Sequence, residues 1–280
     1  MRLRNLTLSL VLGLVAVIGI LVTLGASMEA LAAPDVPQGL DPHYVDDALD
    51  WIVQQQQPDG GFTNGFSEGA DLGTTMDVIL AIVAAQQDVA AWSSGAGNSP
   101  LDYVQAQITA GNVDLVGEKA KAVLTLLATG QDPMSSAGHN LIEEIQTAYD
   151  ETSGSYGSSI YDQALIVLAL VNAGQPVPDG AIACLLDNQS PDGSWALFGD
   201  TEDSVGDTNT TAIAIQALVA AGHPEATDSA LTYLHTVQNS DGGFPYQNPS
   251  EYGTDTDANS TAIVLQAIVA AGESLGSWVP

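Results

Sequence analysis

The feature that most constrains the fold of this chain is an internal repeat. Residues 207–222 read DTNTTAIAIQALVAAG and recur almost position for position 50 residues later as 257–272, DANSTAIVLQAIVAAG. Weaker copies end at Gly174, Gly130 and Gln86, each 44 to 48 residues before the next. A near-constant period of this length is typical of folds that stack one supersecondary unit.

Each copy predicts an apolar helix of about three turns, rich in Ala, Leu and Ile, that ends at Gly or Gln. Such a helix is apolar on nearly every side, so we expect it to be buried on both faces. Amphipathic helices are predicted between the copies, at 45–56, 101–109, 141–149, 181–188 and 226–237. The unit is therefore a helical hairpin with an apolar inner helix and an amphipathic outer helix, and the chain holds five.

Three copies share a turn between the outer and the inner helix. The turns run from Gln57 to Phe62 (QPDGGF), from Gln189 to Trp195 (QSPDGSW) and from Gln238 to Phe244 (QNSDGGF). Asp-Gly is a turn dipeptide because Gly accepts positive φ. We expect the aromatic residue to pack back over the turn and the glutamine to cap backbone groups of a neighbouring hairpin.

The Gln-x3-Gly-x-Trp turn resembles the signature of the squalene cyclase and protein prenyltransferase repeats, which form an α/α toroid. Gln189 to Trp195 matches it in full, and the other two turns carry Phe in place of Trp. The helix starts at 207–212 and 257–262 also resemble those of secreted toroid domains similar to intrinsic factor and transcobalamin. The resemblance implies an all-α, α/α toroid over residues 38–273 and a short tail at 274–280. Such toroids usually close with six hairpins, one more than the five here.

The N-terminus reads as an export signal. Arg2 and Arg4 precede an apolar run from Leu6 to Ala26, and Ala30-Leu31-Ala32 gives a small-x-small cleavage pattern. The run also approaches the length that spans a bilayer, so residues 1–32 are either a signal peptide or an N-terminal anchor. Both interpretations place the rest of the chain outside the cytoplasm, secreted or anchored, with membrane contact only through an uncleaved N-terminal segment.

Charge and cysteine content exclude several classes of function. The chain has 34 Asp and Glu against 4 Lys and Arg, a formal net charge of −30. Nucleic-acid binding requires cations that replace phosphate counterions, so no nucleic-acid partner is expected. The single cysteine, Cys184, excludes an intrachain disulfide and a Cys-based zinc cluster.

Polar residues recur at the starts of the predicted inner helices. Because inner helices of a toroid run parallel, we expect these residues to ring one mouth of the central cavity. They allow two interpretations: helix caps, or a ligand site formed together with nearby aromatic residues. The candidate ligand-binding residues are Asp71, Asp207, Asn209, Asp257, Asn259, Phe62, Tyr156, Tyr161, Trp195, Phe244 and Tyr246.

Enzyme activity is left open by the sequence, with a binding role favoured. Class II terpene cyclases protonate an alkene with the middle Asp of an Asp-x-Asp-Asp motif. This chain offers Asp255 and Asp257 in that arrangement, with Ala258 where the last Asp belongs. Asp255 and Asp257 are therefore catalytic candidates only if the protein is a cyclase. The zinc chemistry of prenyltransferases is not expected, because Cys184 stands apart from the histidines.

The acidic loop 199–207 is a candidate calcium site, since clustered carboxylates suit a hard cation. Its candidate ligands are Asp200, Glu202 and Asp203. The predicted function is an exported, non-catalytic module that holds a small or hydrophobic ligand, cobalamin-like or terpenoid-like, at the toroid mouth. The alternatives are a class II terpene cyclase-like enzyme and a structural cell-surface repeat protein, so the expected partner is a small molecule or a cell-surface component.

Overall fold

The structure is a computed structural model that describes residues 43–66, 68–157, 159–201 and 206–279. The predicted signal or anchor, residues 1–32, lies outside these ranges, as do the first residues of the predicted toroid domain. In the described residues, no helix has the length and hydropathy needed to cross a membrane.

Outer and inner helices alternate along the described chain, as the repeat predicts. The outer helices are α1 (His43–Val53), α3 (Pro100–Thr109), α5 (Leu141–Thr147), α7 (Asp179–Asp187) and α9 (Asp228–Val237). The inner helices are α2 (Leu72–Ala84), α4 (Val116–Ala128), α6 (Ile160–Asn172), α8 (Thr208–Ala220) and α10 (Ala258–Ala270). These ten helices, with isolated β-bridges but no strand among the described residues, confirm the all-α prediction.

Local sequence sets both ends of the inner helices. Four of the five begin after a side chain that accepts a hydrogen bond from the backbone N–H three residues later, and these caps are Asp71, Ser159, Asp207 and Asp257. Four end before a glycine with positive φ, namely Gly130, Gly174, Gly222 and Gly272. In the first copy Gln86 adopts φ of 57° at the same place. The repeat register read from the sequence is therefore confirmed.

The chain divides into two compact units. The first holds the described residues up to 113 and those of 125–139, and in it α2 packs on α3. The second holds residues 114–124 and the described residues from 140 onward, and in it α8 packs between α6 and α10. In α8, every residue from Thr210 to Leu218 is buried, as expected for an inner helix that is apolar all round.

The turn glutamines link neighbouring hairpins, but in the first copy the residue is Gln56, not Gln57. Gln56 Nε2 donates to Gly60 O and to Trp92 O, both at 3.0 Å. Gln57 Nε2 instead donates to Gln55 O. The spacing of the Gln-x3-Gly-x-Trp motif fits Gln56, with Gly60 and Phe62, and does not fit Gln57, so the sequence held the signal for this residue.

The same two contacts recur in the other two turns. Gln189 Nε2 donates to Gly193 O and to Ser229 Oγ, and Gln238 Nε2 donates to Gly242 O and Trp278 O. Gly193 has φ of 92°, and a Cβ there would overlap the Ser229 carbonyl. Glycine is therefore required both for the turn and for the close approach of the next hairpin.

A fourth turn lacks the glutamine and is held from the inner helix. Gln163 Oε1 accepts from Tyr156 N at 2.9 Å, and Gln163 Nε2 donates to Gly154 O and Ala181 O at 3.1 and 3.0 Å. In the other three copies the N–H of the turn aromatic is bound by the Oγ1 of a threonine at the same helix position, Thr75, Thr211 or Thr261. Gln163 thus takes over both the threonine and the glutamine contacts.

The predicted tail contains a 3-10 turn, Leu275–Trp278, that packs against the last hairpin. Trp278 stacks on His235 with ring centroids 3.5 Å apart and lies 6.1 Å from Phe244. Trp92 lies against Phe62 in the first hairpin in the same way, at 6.5 Å. The domain boundary at 273 stays a prediction.

Candidate functional site

The three aspartates predicted for the mouth are N-caps of their helices. An Oδ1 of Asp71, Asp207 and Asp257 accepts the backbone N–H of the third residue on, at 2.8, 2.7 and 2.7 Å. Asp71 and Asp257 also accept from the hydroxyls of Thr74 and Ser260. The capping interpretation is confirmed for all three, and their contact with a ligand stays a prediction.

Asp207 differs from the other two caps in its burial. Only 3% of it is exposed, whereas Asp71 and Asp257 are partly exposed. Burial raises the pKa of the Asp207 carboxyl above its usual range, although hydrogen bonds from Thr210 and from backbone N–H groups oppose the rise. A group held in this way is a structural cap with a poorly hydrated charge, not an open acid.

Most of the predicted aromatic residues lie in the core. Phe62, Trp195 and Phe244 are fully buried behind their turns, and Tyr156 is buried as well. Trp195 Nε1 donates to Leu185 O of the preceding outer helix at 2.7 Å. These side chains pack the turns, as the first of their predicted roles requires, and their contact with a ligand stays a prediction.

The remaining candidates of the second unit lie near helix starts. The backbone O of Tyr246 accepts from Thr208 N and Oγ1, which places Tyr246 at the start of α8. Tyr246 is 47% exposed, and the pKa of its hydroxyl is raised by partial burial and by the Asp207 charge. Asn209 and Asn259 are the second residues of the neighbouring helices α8 and α10, and Tyr161 is the second residue of α6. Asp71 and Phe62 belong to the first unit.

The cyclase and calcium candidates stay predictions. Asp255 is exposed in the loop before α10, and Asp257 is occupied with Ser260. Glu202 and Asp203 lie outside the described residues, while Asp200 is exposed. Across the described ranges, no three His, Cys, Asp or Glu side chains are grouped to hold a metal ion.

Burial raises the pKa of the Cys184 thiol, aided by Asp187, which disfavours its thiolate.

Sequence reasoning missed two amide side chains of the second unit's inner helices, the buried Gln216 and the partly buried Asn172. Gln216 is 2% exposed, and its Nε2 donates to Ala212 O of its own helix at 3.3 Å. Asn172 Nδ2 donates in the same way to Leu168 O at 2.8 Å. Gln216 Oε1 and Asn172 Oδ1 are buried and accept no hydrogen bond in the described structure.

A signal for Gln216 was visible in the sequence. Gln216 and Gln266 occupy one position of the repeat, where the other three copies carry leucine, namely Leu80, Leu124 and Leu168. The two glutamines therefore interrupt the apolar pattern at a position where leucine is compatible with the repeat.

Comparisons with known proteins agree with this architecture. A family model described as the prenyltransferase alpha-alpha toroid domain matches residues 24–114 and 118–274. A solved structure of a type II terpene cyclase from Scytonema, in complex with its product merosterolic acid A, is 16% identical. That match covers 95% of this chain and 86% of the other, with a TM-score of 0.55, and at this identity it concerns the fold alone. No curated protein matches the sequence. The predicted α/α toroid fold is confirmed.

Proposed function

Since the chain belongs to the prenyltransferase α/α toroid family, we propose that it is a non-catalytic member that binds a small, largely apolar ligand with a hydrogen-bond donor. The observation that carries the proposal is the pair of unpaired acceptors, Gln216 Oε1 and Asn172 Oδ1. The export signal predicted in residues 1–32 supports placing this activity outside the cytoplasm.

The unpaired Gln216 Oε1 has an energetic cost that leucine at this position would not have. A buried acceptor without a donor costs about 1–3 kcal/mol. Leucine at the position of Gln216 is compatible with the repeat, because three copies have it. The fold therefore does not require the amide, and a bound donor would offset its cost.

The placement of the amides suggests how a ligand would lie. In α8 the spacing puts Asn209, Ile213 and Gln216 on one helix face, and in α6 it puts Tyr161, Leu168 and Asn172 on one face. Both helices therefore carry an apolar strip between polar residues. An apolar wall with a few polar groups is typical of sites for small molecules.

The environments of the carboxylates do not favour cyclase activity. Protonation of an alkene needs an acid that is both available and positioned by a partner. Asp257 is engaged as a cap, Asp255 is exposed, and Asp207, although burial raises its pKa, is engaged as a cap in the core. The cyclase alternative thus lacks a suitable acid among the described residues.

The test is native mass spectrometry of the protein purified from its own host, with extraction of any bound molecule. We expect a small molecule to co-purify, and Gln216→Leu to weaken its binding about fivefold or more, as loss of one hydrogen bond implies. Gln146→Leu, on the exposed side of α5, is the matched control and should leave binding unchanged.

The alternatives give different outcomes in the same experiment. Turnover of a polyprenyl substrate that is lost in Asp257→Asn, with the fold intact, would establish the cyclase and contradict our proposal. A protein that carries no ligand and turns nothing over would be the structural repeat protein.

A further inference from the structure

The loops that lead into the inner helices of the second unit carry most of the large apolar side chains that this unit exposes. Tyr252 is 99% exposed and Phe198 is 76% exposed, so both rings are open to solvent. Among the described residues of the unit, only Leu186 and Val279 are exposed large apolar side chains outside these loops. Single exposed apolar residues are ordinary, whereas a group of them marks a binding surface. The four that form the group are Leu115, Phe198, Tyr246 and Tyr252.

Two backbone hydrogen bonds fix where two of these residues lie. Ile160 N, in the first residue of α6, donates to Leu197 O at 2.8 Å, which places the next residue, Phe198, beside the start of α6. Thr208 N, in the first residue of α8, donates to Tyr246 O at 2.9 Å. Because α6 and α8 pack against each other, and the axes of packed helices lie about 8–10 Å apart, the two loops are neighbours.

The same end of the unit holds the other two residues. A Cβ added to Gly117, near the start of α4, would overlap the carboxylate of Asp162, near the start of α6, so these two helix starts adjoin. Leu115 immediately precedes α4, and Tyr252 lies in the loop that ends at Asp257, the cap of α10. Since α10 packs on α8, the starts of the four inner helices follow one another along one end of the unit. We call this end the loop surface and define it by Leu115, Phe198, Tyr246 and Tyr252.

The loop surface is negatively charged. Its described residues include four exposed carboxylates, namely Asp114, Asp200, Glu251 and Asp255. The sequence places no lysine or arginine in residues 110–115, 195–201 or 244–257. The faces of tyrosine and phenylalanine rings are themselves electron-rich and attract cations. A guanidinium suits both features better than an ammonium, because it is planar, stacks on rings and pairs with a carboxylate through two parallel hydrogen bonds.

We propose that the loop surface binds an arginine-bearing segment of a protein partner. Guanidinium groups of the partner stack on Tyr252 and Phe198 and pair with exposed carboxylates of the same loops, such as Glu251. The net charge of the chain, −30, attracts any cation, whereas the open rings select arginine. The site does not depend on the proposed ligand at Gln216, which contacts buried residues of the inner helices.

The test is isothermal titration calorimetry of the intact protein with an acetylated and amidated peptide in which three arginines alternate with glycine. It is compared with the same peptide carrying lysine in place of arginine, which has an equal charge and is attracted equally to an acidic protein. We expect a Kd of about 0.1 mM for the arginine peptide and a Kd about fivefold higher or more for the lysine peptide. Tyr252→Ala and Phe198→Ala should each weaken binding of the arginine peptide about two- to fivefold, as loss of one exposed cation–π contact implies.

Matched variants in the first unit serve as controls. Tyr44→Ala removes an exposed ring from α1, and Asp47→Asn removes an exposed carboxylate from the same helix. Both should leave the affinity for the arginine peptide unchanged, whereas Glu251→Gln should weaken it about twofold. All of these side chains are exposed, so we expect each variant to fold as the wild type does.

Three results would overturn the proposal. The first is equal affinity for the arginine and lysine peptides, and the second is an effect of Tyr44→Ala as large as that of Tyr252→Ala. The third is binding of maltohexaose, a neutral sugar, in place of the arginine peptide, which would identify a surface for glycans.

Discussion

The three aspartates at the inner-helix starts occupy the same position of the repeat, but they differ in how far they are buried. Asp71, Asp207 and Asp257 all accept a backbone N–H, which stabilises a helix by about 0.5–2 kcal/mol. Only Asp207 does so from the core. An ionised carboxylate there loses hydration that the other two keep in part.

This burial predicts a pH dependence. The pKa of Asp207 is raised from 3.8, so the folded state holds its proton to a higher pH than the unfolded state does. Its contribution to stability is present below about pH 4 and is lost as the pH rises through the folded pKa. Asp207→Asn keeps a cap of similar strength and has no charge to bury. As the pH rises from 4 to 7, the free energy of unfolding of Asp207→Asn should therefore increase relative to that of the wild type, as measured by urea denaturation.

Two comparisons sharpen that experiment. Asp207→Ala loses the cap and should cost about 1 kcal/mol. Asp257 is a partly exposed cap, so the free energy of unfolding of Asp257→Asn relative to the wild type should change less with pH. A gain for Asp207→Asn that is flat or falls with rising pH would contradict the assignment.

Between elements, a few side-chain hydrogen bonds and one ion pair join neighbouring hairpins. Gln56 reaches Trp92 and Gln238 reaches Trp278, each into the segment that follows the next inner helix. Lys119 meets Glu144 of the next outer helix at 2.8 Å. Gln163 makes the corresponding link with Ala181 from an inner helix. The hairpins are thus held by side-chain contacts as well as by apolar packing.

Gln163 allows these contacts to be separated. Gln163→Ala removes three buried hydrogen bonds and should lower the free energy of unfolding by about 3 kcal/mol. Gln163→Thr introduces the residue of the other copies, which can accept from Tyr156 N but cannot donate to Gly154 O or Ala181 O. The free energy of unfolding of Gln163→Thr, measured by chemical denaturation, should lie between that of the wild type and that of Gln163→Ala. If Gln163→Thr is as stable as the wild type, the two donated bonds contribute nothing.

Across the whole molecule, the acidic side chains repel one another. With 34 acidic and 4 basic residues, a charged side chain is surrounded mainly by side chains of the same sign. Surface ion pairs cannot offset this repulsion, because so few cations are present. High negative charge favours solubility and opposes compactness.

Salt should therefore stabilise the protein. The Debye length falls from about 10 Å at 0.1 M to about 3 Å at 1 M, so repulsion between exposed carboxylates is screened. We expect the Tm to rise by several degrees between these concentrations of NaCl, followed by circular dichroism. A variant that neutralises the exposed Asp47, Glu251 and Asp255 should be more stable at low salt and gain less from added salt. An equal gain for this variant would point to a cause other than repulsion.

The inner helices, the aspartate caps of three of them and the repeat register could be predicted from the order of the amino acids, whereas the outer-helix bounds were missed by up to three residues, as for 45–56 against His43–Val53. These features depend on residues within one or two turns of each other: a cap and the third residue on, an apolar strip, or a glycine that accepts positive φ. The family followed from the same repeats. Because a cap is a local interaction, the repeat alone was enough to align Asp71, Asp207 and Asp257 correctly.

Which of these residues carry special chemistry depends instead on the tertiary fold. The fold gives Gln163 two roles, buries Asp207, and leaves Gln216 Oε1 without a donor among the described residues. These outcomes depend on contacts between segments that lie apart in the chain, by 18 residues for Gln163 and Ala181. Burial and partner choice arise only when such segments meet, and a repeat with nearly identical copies gives no local sign of which copy differs.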